Sequence, residues 1–199
     1  MCNCSVTVKI LAFAGSTRTR SYNKMLIQNA AQFAEQHGAD VKLIDLRDYP
    51  MPLYDGDLEE SNGVPESALE LRRTMCQHHG LLLSCPEYNS AITAVLKNSI
   101  DWVSRPVPDE PSLAAFTGKT VSLLATSPGA LGGLRTLVSI RTILGNLGMI
   151  VLPKQFALPN AQQAFDTDGT LVDEAARKQV SAVSGQLVSF TSRLVQQAG

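Results

Sequence analysis

Apolar runs of strand length alternate along the chain with amphipathic stretches of helix length. Val6 to Ala14, Val41 to Leu46, Gly80 to Ser84, Thr120 to Ala125 and Met149 to Leu152 predict five strands. The third and fourth are nearly all apolar, as strands covered on both faces should be. In the first amphipathic stretch Tyr22, Met25, Leu26, Asn29 or Ala30, and Phe33 share one side of a helix that ends near Gly38. Pro65 to His78, Ala91 to Val103 and Leu134 to Leu147 predict further helices. Val180, Val183, Leu187, Phe190 and Leu194, in alternating steps of three and four, predict the last. This βαβα rhythm implies an α/β fold in which helices cover a parallel sheet. No repeat and no low-complexity segment interrupts it.

Five strands is the count of a flavodoxin-like three-layer αβα sandwich, whose sheet order is 2-1-3-4-5. A length of 199 residues suits one domain spanning 1–199 with a sizeable core. Charged residues make up only 18% of the chain, which suggests that another subunit covers part of the surface. A net charge of -1 provides neither a basic field for nucleic acid nor the acidic field of a dedicated electron shuttle, so small-molecule work is expected. Cys2, Cys4, Cys76 and Cys85 match neither a zinc pattern nor a disulfide framework, and a reduced cytoplasmic setting follows. The segment "ILAFAGS" imitates a secretory core, but Lys9 interrupts it and cleavage would remove the central strand. No run approaches the roughly 20 apolar residues of a membrane span. Two long irregular stretches, Arg47 to Val64 and Arg105 to Gly118, are of a length that is usually functional or surface-covering.

The chemistry collects where strands run into helices. "GSTRTRSYN", from Gly15 to Asn23, joins the first strand to the first helix. A helix N-terminus there exposes unpaired N–H groups and a partial positive charge, which together suit an anion. Gly15 allows a sharp turn and close approach of a ligand; four hydroxyls, Arg18 or Arg20, and Asn23 add donors. Neither G-x-G-x-x-G nor G-x-x-x-x-G-K-[ST] is present, which leaves a terminal monophosphate wrapped by side chains, such as that of FMN, as the best fit. The same residues also read as a serine-rich helix cap with solvated arginines, and this loop alone does not separate the two. At the next edge position "CPEYNS" follows the third strand, offering Tyr88 as an aromatic face; the plainer readings are Tyr88 as a half-buried packing residue, Glu87 as a solvated or capping charge and Asn89 as a turn former. "ATSPGALGG", ending at Gly133, follows the fourth strand, with Gly129, Gly132 and Gly133 allowing close approach. Three such loops on one sheet edge point to a single crevice.

Taken in order, "GSTRTRSYN", "PEYN" with "LKNSIDWVSR", and "SPGALGG" resemble the NADPH-dependent FMN reductase family, which includes flavin-containing quinone and chromate reductases. The resemblance implies an FMN-dependent oxidoreductase that takes electrons from NADPH or NADH. It passes them by a ping-pong mechanism to quinones, flavins, azo compounds or metal oxyanions. It further implies that Ser16, Arg18, Ser21 and Asn23 hold the phosphate, that Pro86, Glu87, Tyr88 and Asn89 line the ring, and that Ser127 and Gly129 form a third contact. The flavin performs the chemistry, so no catalytic residue is assigned. Family members usually form dimers or tetramers, so a homodimer or homotetramer is expected, with the Arg47 to Val64 segment or the Trp102 helix near the interface. The stretch Ser90 to Ala94 departs from the family's usual S-x-P-G, which puts the start of its helix in question. A non-catalytic electron carrier or redox sensor that binds flavin is the alternative.

The remaining residues read plainly. His78 and His79 suit a favourable helix C-terminal charge better than a metal site, and Cys85 suits a buried thiol. Asp45 stands where a Rossmann protein would bind ribose, yet without the accompanying glycines it reads as a loop residue. Trp102 reads as a helix anchor packing on the core or on a partner subunit, and "DTDGT" at 166–170 as a turn lacking a full calcium-ligand set.

Overall fold

The computed structural model describes residues 7–198; Cys2, Cys4, Val6 and Gly199 lie outside the described residues. In chain order β1 (Lys9–Ala14) leads to α1 (Tyr22–Gln36), β2 (Asp40–Leu43), α2 (Gly56–Asn62), α3 (Glu66–Cys76) and β3 (Gly80–Ser84). A hairpin of β4 (Glu87–Tyr88) and β5 (Ala91–Ile92) follows, then α4 (Ala94–Val103), β6 (Thr120–Thr126) and α5 (Leu134–Asn146). The chain continues through β7 (Ile150–Leu158), α6 (Ala161–Ala164) and α7 (Glu174–Ala198). The main sheet is parallel throughout, in the order β2-β1-β3-β6-β7. Counted over the five sheet strands alone, this is the 2-1-3-4-5 succession of a flavodoxin-like sandwich.

Helices cover both faces, so alternate residues of one strand enter different cores. Ile10, Ala12 and Ala14 of β1 join Leu82 and Leu124 beneath α1 and α7. Leu11 and Phe13 join Leu83 and Leu123 beneath α3, α4 and α5. Every residue of β3 and β6 is buried, as their apolar composition predicts. β2 ends at Leu43 and not at Leu46, because Asp45 accepts a hydrogen bond from Arg47 N–H and caps a short 3-10 turn over Leu46–Asp48. β7 extends past Leu152 to Leu158, through Pro153. It is an edge strand, where a missing N–H is tolerated, and its register shifts opposite Val121 to Leu123.

The long 47–64 stretch is less irregular than expected, since it contains α2. It is fixed to α4 through Pro52, whose carbonyl accepts from Asn98 Nδ2 and from Trp102 Nε1, each at 2.8 Å. Trp102 is fully buried, edge-on to Tyr54, and so packs on the core of its own chain, the first of the two roles expected of it. At the C-terminus of α3 the positive charge comes from Lys119, which donates to the carbonyls of His78 (2.6 Å) and Cys76 (3.3 Å). Burial lowers the pKa of both His78 and His79, which works against the histidine charge expected at this helix end. The "DTDGT" turn closes on itself, with Asp166 Oδ1 accepting from the N–H of Asp168 and of Thr170.

Candidate functional site

β1, β3 and β6 are neighbours and parallel, so the loops that leave their carboxyl ends emerge side by side. The chain order reverses between β1 and β3, which opens a crevice at that point of the edge.

In the first loop Ser16 is buried, and its Oγ accepts from Arg18 N–H at 3.3 Å. Ser21 occupies the N-cap position of α1, yet its side chain makes no capping bond. Ser21 as a residue is 4% exposed; its hydroxyl has no partner among the described residues, and the N–H groups of Ser21, Tyr22 and Asn23 find no backbone acceptor there. Arg18 and Arg20 are exposed and form no ion pair among the described residues. A hydroxyl without a partner, open N–H groups and unpaired guanidinium groups make a donor-rich nest for an anion. Gly15 has a different role from the expected one. A Cβ there would lie 2.8 Å from Leu96 Cδ2, so the glycine admits α4 and not a ligand.

Beside this nest lies a charged hub that the sequence did not reveal. Asp45 accepts from Lys24 Nζ at 2.7 Å and from Arg47 Nε and Nη2 at 2.9 and 2.7 Å, and Arg47 Nη1 reaches Thr19 Oγ1 at 3.4 Å. Burial alone would raise the Asp45 pKa; the bonds from Arg47 and Lys24 outweigh it and hold the carboxyl at about 2. Asp45 is therefore committed to two cations and is neither a plain loop residue nor open to a ribose.

Asn23 points into the sheet. Its Nδ2 donates to the Thr126 carbonyl at 2.9 Å, while Oδ1 accepts from Ser84 Oγ at 2.8 Å and from Thr126 N–H at 3.1 Å. The expected outward contact of its carboxamide with a phosphate is corrected: only the Asn23 N–H remains available to the nest.

The second loop is the β4–β5 hairpin, which the sequence reading did not find. Asn89 and Ser90 form its two-residue turn with φ of 51° and 68°, both left-handed. The signal was present, since asparagine tolerates this region and stands between Tyr88 and Ala91. Pro86 is buried and its carbonyl accepts from Thr136 Oγ1 at 3.2 Å. Glu87 turns toward α5, accepting from Arg135 N–H at 3.1 Å and Nε at 2.7 Å, so of its two plainer readings, solvated or capping, it takes the second. Tyr88 and Asn89 remain exposed, and Tyr88 presents the aromatic face of the edge. Thr93 resolves the doubtful helix start. Its hydroxyl caps α4 by accepting from Leu96 N–H at 3.3 Å and donates to the Gly15 carbonyl at 2.6 Å, tying the second loop to the first. Cys85, wholly buried, has its thiol pushed up to about 12 by burial, which leaves it unreactive.

In the third loop Ser127 is half-buried and Gly129 exposed, and a Cβ on Gly129 would make an ordinary contact with Ser127 Oγ at 3.9 Å. Gly132 and Gly133 are left-handed, at φ of 60° and 86°, and a Cβ on Gly132 would lie 2.6 Å from the Leu158 carbonyl carbon. These two glycines serve packing, a correction to the ligand approach expected of them, while Gly129 keeps that possibility. Among the described residues no group of three or more His, Cys, Asp or Glu side chains converges to hold a metal.

A family model described as NADPH-dependent FMN reductase matches residues 8–163. An NAD(P)H-dependent FMN reductase of Pseudomonas aeruginosa is 34% identical over 188 residues, covering 94% of this chain and 97% of its own. An NADPH:quinone oxidoreductase of Arabidopsis thaliana is 32% identical over 192 residues, covering 94% and 93%. A quinone reductase of Escherichia coli is 31% identical over 188 residues, covering 94% and 95%. Among solved structures, FerB, a flavoenzyme NAD(P)H:(acceptor) oxidoreductase from Paracoccus denitrificans, superposes with a TM-score of 0.80. That superposition covers 94% of this chain and 98% of the other at 24% identity, a likeness of fold.

Proposed function

From the premise that the chain belongs to the NADPH-dependent FMN reductase family, we propose that it holds FMN on the carboxyl edge of its sheet and uses NADPH or NADH to reduce small acceptors. Quinones, flavins, azo compounds and metal oxyanions are the acceptor classes, and the quinone class is supported by the names of the relatives. The observation that carries the reading is the Ser21 hydroxyl at the start of α1, which has no partner among the described residues, beside Arg18, unpaired among them too, and the open N–H groups. A phosphate monoester close to two negative charges fits that donor set.

Ser16, Arg18 and Ser21, with the Asn23 N–H, hold the phosphate. Pro86, Tyr88 and Asn89 border the ring on the hairpin, Glu87 fixes that hairpin to α5, and Ser127 with Gly129 forms the third side. When bound, the flavin supplies hydride acceptance and onward electron transfer; the chain supplies anchorage and orientation. Donor and acceptor use one exposed face in turn, which is a ping-pong order. Exposed Tyr88, Leu131, Leu134 and Val138 lie on the hairpin and at α5, and this unpartnered apolar surface supports a homodimer or homotetramer in which a second copy covers the site. No helix among the described residues is long and apolar enough to cross a membrane. The free Cys76 and Cys85 support a reduced, cytoplasmic setting.

The test is an absorbance scan of the pure protein, before and after NADPH, without oxygen. A flavin spectrum bleached by NADPH is expected. A colourless protein that refuses added FMN would sink the proposal.

A further inference from the structure

We propose that Asn23 is a positioning residue whose carboxamide holds the loops after β1, β3 and β6 in one fixed arrangement, so that the phosphate nest and the ring-bordering loops stand at a set separation. This rests on the flavin reading above and adds to it a residue that acts without touching the ligand.

The carboxamide pairs with both backbone groups of Thr126, the last residue of β6, in the way a neighbouring strand would. It also accepts from the hydroxyl of Ser84, the last residue of β3. Asn23 itself belongs to the first turn of α1, directly behind the phosphate nest. One side chain therefore ties the end of the first loop to the two points from which the second and third loops depart. Both lone pairs of Oδ1 are used, and the residue is 4% exposed. Burial strengthens these bonds and makes an unmade one costly, which gives the link its rigidity.

Asn23→Asp tests this through protonation. A neutral carboxylic acid reproduces the pattern, its carbonyl accepting from Ser84 and Thr126 N–H and its O–H donating to the Thr126 carbonyl. A carboxylate has only acceptors and sets one oxygen against that carbonyl. Burial and this repulsion both favour the neutral acid. β3 and β6, which hold the group, carry no ionisable side chain. On α1 and its preceding loop the nearest in sequence are Arg18, Arg20, Tyr22 and Lys24, with Lys24 committed to Asp45. Cys85, following Ser84, keeps its proton with a pKa pushed up to about 12. α7 brings Glu174, Arg177 and Lys178 to the opposite end of α1, beside Phe33 and His37.

The measurement is the affinity of flavin-free protein for FMN and for riboflavin, read by quenching of flavin fluorescence between about pH 5.5 and 8. Each value is divided by that of the unsubstituted protein, which cancels the titration of the FMN phosphate itself. Asn23→Asp should bind both flavins within about threefold of the unsubstituted protein at the acid end and at least about tenfold more weakly at the alkaline end. Ser84→Ala, which removes one donor to Asn23 and adds no charge, should weaken both flavins by about threefold at every pH. It also decides the matter if Asn23→Asp does not fold at the alkaline end. A loss confined to FMN would make Asn23 a direct phosphate ligand and overturn the proposal. Unchanged affinity in both variants, with or without a lower melting temperature, would also overturn it. If the unsubstituted protein binds neither flavin, the flavin reading itself fails, an outcome distinct from the others.

Discussion

Gly15 and Asn23 stand eight positions apart in the first loop, and in both the neighbour that matters comes from elsewhere in the chain. Gly15 makes room for Leu96 of α4, and Asn23 reaches Ser84 and Thr126. Residue type in this loop was legible as a donor-rich nest, but which donors face outward was not. Spacing alone could not separate Arg18 from Arg20, and both are exposed and unpaired among the described residues. Replacing Arg18 with alanine should weaken FMN binding about tenfold while leaving riboflavin nearly unchanged, because a charge-assisted bond to the phosphate is lost. Titration of both flavins checks this, and equal losses would place Arg18 away from the phosphate. Asp45 shows the same limit. Its position at the end of β2 could be read, but its commitment to Lys24 and Arg47 required the loop to fold back beside α1.

Among elements, β3 and β6 were the clearest in the sequence, because strands buried on both faces admit almost only apolar residues. Edge strands were the least clear: β2 stopped early at the Asp45 turn, and β7 ran on through Pro153. The hairpin was hidden because two strands of two residues are too short to show any period. Its consequence is that α4 starts at Ala94, with Thr93 as the cap. Thr93→Ala should destabilise the protein by about 1 kcal/mol, the usual cost of losing a cap. It should also loosen FMN, since the bond to the Gly15 carbonyl is lost. Urea denaturation and a flavin titration measure the two effects, and Thr93→Ser should recover both. Recovery of stability without recovery of FMN affinity would show that the link to the first loop does not matter for the ligand.

At the scale of the molecule, a parallel sheet brings the carboxyl ends of its strands to one edge, and that alone gathers three loops far apart in sequence into one site. The same edge carries the exposed apolar side chains of the hairpin and α5. If a second copy covers them, Val138→Asp should shift the protein toward monomer at micromolar concentration and lower its flavin retention, as sedimentation velocity and the flavin absorbance of the purified variant would record. A protein already monomeric without the substitution would count against the oligomer. The sequence by itself determined the α/β class, the five parallel strands of the main sheet and the three edge loops, because hydrophobic periodicity and turn chemistry are local properties of the chain. The inward turn of Asn23, the capping by Glu87, the bond from Thr93 to the Gly15 carbonyl, the room that Gly15 leaves for Leu96 and the burial of Trp102 were decided only by tertiary structure. Each depends on a partner tens of residues away, and a hydrogen bond or a close contact exists only once the fold has placed both sides.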